Sequence, residues 1–97
     1  MKTALVEKSS RNVFRAIGFS KAEAHNLALR AELMNRIEDF VVDVGQMQKK
    51  PAKVLGVTQS RLNLLLKGKI SEFSLDALVN MATRAGMRVE MKVRKAA

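Results

Sequence analysis

Residues 48–67 read QKKPAKVLGVTQSRLNLLLK, and the spacing within them decides the fold. Ala52, Leu55, Gly56, Val57, Leu62 and Leu65 recur at intervals that suit two short helices joined by a tight turn and crossing at a steep angle. Ala52 is small where the second helix must pass over the first. Gly56 supplies the positive φ of the turn without a steric cost. Leu55, Val57, Leu62 and Leu65 pin the two helices together. Thr58 is a good N-cap, which leaves open backbone N–H groups at the N-terminal end of the second helix, and Gly68 stands where that helix should stop. By pattern the first helix covers residues 48–55. Pro51, however, is comfortable only in a first turn and steers Lys50 away from helical angles. The helix is therefore expected to begin near Pro51, with Gln48 and Lys49 as an extended lead-in.

Outward from this pair the chain is punctuated as further helices. Ser20 and Glu23 have the spacing of a capping box. Ala24, Leu27, Ala28, Ala31, Met34, Ile37, Val41 and Val44 then form one helical stripe, about 36 Å long at 1.5 Å per residue. Gly45 is expected to close it as a left-handed cap. Ser74 caps a further helix carrying Leu75, Leu78, Val79 and Ala82, with Gly86 at its end. Residues 88–94 change to period two. Val89, Met91 and Val93 alternate with charged residues, which predicts a one-sided strand. The expected organisation is an N-terminal arm (1–19) with a short helical turn near Asn12–Ile17, a helical domain (20–86), and a C-terminal strand and tail (87–97).

The 97 residues suffice for one modest core. Charge is distributed unevenly: residues 46–70 hold six basic side chains and no acidic one, while residues 20–45 carry three basic and five acidic. A basic block of this kind is what a polyanion docks on. The few aromatics, all Phe, argue against a base-stacking platform for single strands. No cysteine is present, and His25 is the only histidine, so no metal set is expected. The acids show no paired arrangement and the glycines form no phosphate-cradling loop, which argues against an enzyme or a bound cofactor. No apolar run reaches the roughly 18 residues of a membrane span, and residues 1–10 lack the apolar stretch of a signal peptide. The expected location is the cytoplasm, on the nucleoid.

If Leu62, Leu65 and Leu66 face inward, then Gln59, Ser60, Arg61 and Leu64 are left outward as a reading surface. Gln can bond adenine N6 and N7, Arg can bond guanine O6 and N7, and Leu can touch a thymine methyl. Lys49, Lys50, Lys67, Lys69 and the capped end at Thr58 suit phosphate. This predicts a helix-turn-helix bound in the major groove of double-stranded DNA. Further motifs are Asn12-Val-Phe, Ile17-Gly18, Ala22-Glu23, Arg30-Ala-Glu-Leu33, Leu55-Gly56, Gln59, Leu65, Gly68 and Phe73-Ser74-Leu75. With these the chain resembles the small XRE-type (lambda-repressor-like) regulators, and among them the HigA-like antitoxins, over about Asn12 to Val93.

The resemblance implies a mainly α domain of four to five helices, a homodimer, and binding to operator DNA, often at its own promoter. It also implies that Gln48 braces a phosphate and that Gln59 reads a base. Two positions depart from the pattern: Met47 replaces the usual Thr or Ser cap, and Pro51 interrupts the first helix of the pair. Residues Ala4–Val6 could pair with the C-terminal strand within the chain, but through Val89, Met91 and Val93 it is rather expected to pair with its copy across a two-fold axis, setting half-sites about 34 Å apart in a palindromic operator. In the antitoxin reading the chain represses its own operon, and a small basic toxin docks on the acidic long helix. The alternative is a stand-alone protein-interaction module whose helix-turn-helix is mainly structural.

Overall fold

Ser20 opens the longest element of the chain. In the computed structural model, which describes residues 11–47 and 49–95, helix α2 runs from Lys21 to Gln46. It is preceded by helical backbone at 11–16 (α1) and followed by α3 (Pro51–Leu55), α4 (Gln59–Leu66), a 3-10 turn (Ile70–Glu72) and α5 (Leu75–Arg84). The expected helical turn near Asn12–Ile17 is thus present, and Phe14 within it meets Phe19 just beyond it edge to face at 6.0 Å.

The capping box forms as the spacing requires: Glu23 N–H donates to Ser20 Oγ at 3.2 Å, and Ser20 N–H donates to Glu23 Oε1 at 3.2 Å. Hydrogen bonds from Ser20, the side chain's first and the backbone's second, hold the Glu23 carboxyl below the usual carboxylate range. A carboxylate with a lowered folded pKa stabilises the fold above its unfolded value, and that contribution is lost as pH falls through the folded one. Glu23→Gln keeps the cap but cannot titrate. It is expected to flatten the acid limb of stability, measured as melting temperature by circular dichroism from neutral pH down through the carboxylate range.

Of the α2 stripe, Ala24, Leu27, Ala28, Met34, Ile37 and Val44 are buried, with Ala31 and Val41 half-buried. The core is built by α2 packing most extensively against α5, with α3, α4 and the 3-10 turn filling in around them. Met34, Ile37, Leu55, Leu62, Leu65, Phe73, Leu78, Met81 and Ala82 form its centre. Among the described residues no charged or polar side chain is buried, and no helix is long and apolar enough to cross a membrane.

Two expectations are corrected. Gly45 is not a left-handed cap: α2 continues through it to Gln46. The Val44 carbonyl accepts both Met47 N–H (3.0 Å) and Lys49 N–H (3.2 Å), so the chain folds back over the end of the helix after Gly45 and not at it. Nor is there a strand among the described residues; residues 87–95 have no regular structure. An amphipathic strand needs a partner for its ladder groups, and among the described residues there is none. The notion that Ala4–Val6 supplies that partner concerns positions outside the described residues.

Candidate nucleic-acid interface

Pro51 sets the start of the helix pair. It occupies the first turn of α3, where its missing N–H is not needed, and Lys50 before it is extended at φ −92°, ψ 104°. Helix α3 is accordingly five residues long and begins where the proline predicts. Gly56 ends it at φ 71°, with Gly56 N–H on the Lys53 carbonyl (3.2 Å) and Val57 N–H on that of Ala52 (3.0 Å). Thr58 Oγ1 then accepts Arg61 N–H at 3.1 Å and opens α4. Leu55, Leu62 and Leu65 are buried beneath the pair, with Ala52 and Val57 half-buried against the same core.

A methyl at Gly56 meets two difficulties. The left-handed conformation costs an L-residue about 1–2 kcal/mol, and the Arg84 side chain lies where the new Cβ would sit. Gly56→Ala is therefore expected to lose roughly 1–2 kcal/mol in a urea melt, because the flexible Arg84 can move away. A neutral result would mean that the turn relaxes out of the left-handed region.

The outward face of α4 differs from the one the leucine run suggests. Gln59, Ser60, Asn63, Leu66 and Lys67 are exposed, whereas Arg61 and Leu64 are half-buried. At about 100° per residue, the exposed set and the set 61, 62, 64 and 65 occupy opposite arcs of the helix. Leu64 packs against the core and Leu66 is 41% exposed, so these two leucines exchange the roles expected of them. Asn63, not among the residues expected on the reading surface, stands on the open face beside Gln59. The Gln59 amide donates to Asn63 Oδ1 at 3.0 Å. The signal for it was available: a polar residue four positions after Gln59 shares its face.

Arg61 turns away from that face. Its guanidinium lies over the Phe73 ring, 4.3 Å from the centroid, and donates to the Glu72 carbonyl at 2.9 Å. From the other side Arg30 on α2 donates to the carbonyls of Ile70 (3.2 Å) and Phe73 (3.1 Å). Two arginines thus hold the segment 70–73, and with it the exit of α4, against the core. Arg61→Ala is expected to cost about 1 kcal/mol of stability through the lost bond and cation–π contact. The ratio of affinities for chosen and random DNA is expected to stay unchanged. A fall in that ratio at constant stability would return Arg61 to base reading.

Around this face Lys49, Lys50, Lys53, Lys67 and Lys69 are exposed, and Thr58 is exposed with its hydroxyl engaged in the cap. With no acidic residue between 46 and 70, nothing within that stretch neutralises these cations. Gln48 lies outside the described residues. Val89, Met91 and Val93 are exposed along 87–95, away from any core contact.

Two short helices joined at a left-handed glycine, a polar outer face on the second, and uncompensated lysines beside it define a helix-turn-helix module. A family model described as a helix-turn-helix domain matches residues 13–94, and the chain belongs to that family. It is thereby placed in the class of DNA-binding regulators. No curated protein and no solved structure gave a match.

Proposed function

We propose that the chain is a dimeric repressor of the XRE type, which lays α4 in the major groove of a palindromic operator. The observation that carries this is the outer face of α4: Gln59, Ser60 and Asn63 exposed together, with Lys67 and Lys69 following. Polar side chains at the N-terminal half of such a helix reach base edges, and lysines where the chain leaves the groove reach phosphates. Lys49 and Lys50 add phosphate contacts on the approach to α3, with Gln48 beside them. Arg61, held on Phe73, and Leu64, packed on the core, are assigned to positioning the helix rather than to base contact.

Assembly follows from the C-terminal segment. Val89, Met91 and Val93 alternate with Arg88, Glu90, Lys92 and Arg94, and the same segment of a second copy can complete an antiparallel ladder across a two-fold axis. Two α4 helices would then meet half-sites about one DNA turn, roughly 34 Å, apart. The acidic balance of residues 20–45 supports a further role as the HigA-like antitoxin of a small basic toxin, autoregulating their common operon from the cytoplasmic nucleoid. A protein-interaction module is the second reading, favoured by the exposure of Val13 in α1 and of Ile17 and Phe19 just after it.

The deciding experiment titrates the purified protein against its own upstream DNA and a scrambled duplex at two salt concentrations. Tight, selective, salt-sensitive binding is expected. Weak binding that fails to separate the two duplexes favours the interaction module.

A further inference from the structure

From residue 49 to residue 88, Leu66 is the only large apolar side chain left exposed. Leu62 and Leu65 are buried and Leu64 packs on the core, in which Leu66 takes no part. At about 100° per residue, Leu66 falls within the arc of Gln59, Asn63 and Lys67, opposite the arc turned to the core. It is an apolar group set into a polar surface, with exposed Lys67 next to it and exposed Lys69 shortly after.

Those surroundings decide between two kinds of occupant. A protein partner docks on a contiguous apolar patch, and one leucine among amides, a hydroxyl and lysines does not make one. The lysines suit a polyanion instead. On the base edges of the major groove the apolar group on offer is the C5-methyl of thymine, which lies toward the base's own sugar-phosphate strand. Laid lengthwise in the groove, the eight residues of α4 span about 12 Å, so the last turn stays beside base edges. Leu66 then stands where a methyl near the backbone belongs, between base-facing Asn63 and phosphate-facing Lys67.

We infer that Leu66 packs on the C5-methyl of a thymine in each half-site and sets the preference for that base. The inference rests on the DNA-binding role proposed above and adds an apolar specificity device that is independent of Gln59.

The experiment selects half-sites from a randomised duplex library with the full-length wild type, then replaces each thymine of the winner by uracil. That change removes the methyl and leaves the pairing and O4 in place. Affinities are measured with wild type, Leu66→Ala and Leu66→Met. The position is exposed, so both variants keep their fold, which a circular-dichroism melt verifies. For wild type, one uracil replacement per half-site is expected to weaken binding about 4-fold, the worth of one buried methyl. Leu66→Ala is expected to bind the thymine and uracil duplexes equally at that position, and Leu66→Met to keep the difference. A selected site without thymine, or one whose uracil responses are the same in wild type and Leu66→Ala, overturns the inference and leaves DNA reading intact. A wild type that enriches nothing overturns both.

Discussion

Replacing Phe73 with alanine is expected to lower the unfolding free energy by about 3–5 kcal/mol, measured by urea denaturation. The ring is fully buried at the centre of the core with Met34, Ile37, Leu55, Leu62, Leu65 and Leu78. Its loss removes apolar burial, opens a cavity, and takes away the surface on which Arg61 rests. A domain of this size has about 5–15 kcal/mol in all, so the variant is substantially unfolded at the lower end of that range. Phe73→Leu keeps most of the volume and is expected to cost less than half as much. DNA binding should decline with folded fraction in both. A Phe73→Ala protein that melts like wild type would place the structural centre elsewhere.

The second large effect concerns residues that contribute nothing to the single-chain core. Met91 and Val93 are 79% and 84% exposed, so Met91→Lys with Val93→Lys removes almost no buried surface from the protomer. If the C-terminal segments pair, the same changes put like charges into the seam between copies. The double variant is expected to keep its melting curve at low concentration and to sediment as a monomer. Its operator affinity is expected to fall by about 10²- to 10⁴-fold, because the second α4 no longer binds at the effective concentration its tether provided. Affinity for random DNA should hold or rise slightly with the added charge. An unchanged mass and an unchanged operator affinity would locate the dimer seam on another surface.

How far the sequence could be read depended on the range of the interaction that decides each feature. Caps at Ser20, Thr58 and Ser74 are settled by bonds spanning three residues, and each formed as read. The turns at Gly56, Gly68 and Gly86 are settled by backbone sterics, and all three have positive φ. The proline at 51 likewise marked the start of α3. The orientation of α4 was harder. In the run Leu62-Asn-Leu-Leu-Leu66 several inward stripes have acceptable helical spacing, and the choice is made by what lies opposite. That is the segment Ile70–Phe73, whose carbonyls draw Arg61 inward from eleven residues away. Arg30 reaches the same segment across forty residues and more, beyond any local pattern. Residues 88–94 mark the other limit: alternation shows what a segment is suited to pair with, and among the described residues nothing pairs with it.

The brevity of the helix pair has a bearing on how its activity ends. Helix α3 has five residues and α4 eight, well short of the roughly 12–15 that an isolated helix needs in water. Their shape is lent to them by α2, α5 and Phe73. A peptide cut from residues 49–69 would keep Lys49, Lys50, Lys53, Lys67 and Lys69 and lose the geometry, so it is expected to cling to nucleic acid as any polycation does and to discriminate nothing. On the proposed function, one proteolytic cut through the core is therefore expected to end sequence recognition at once and to leave no fragment that competes for the same site.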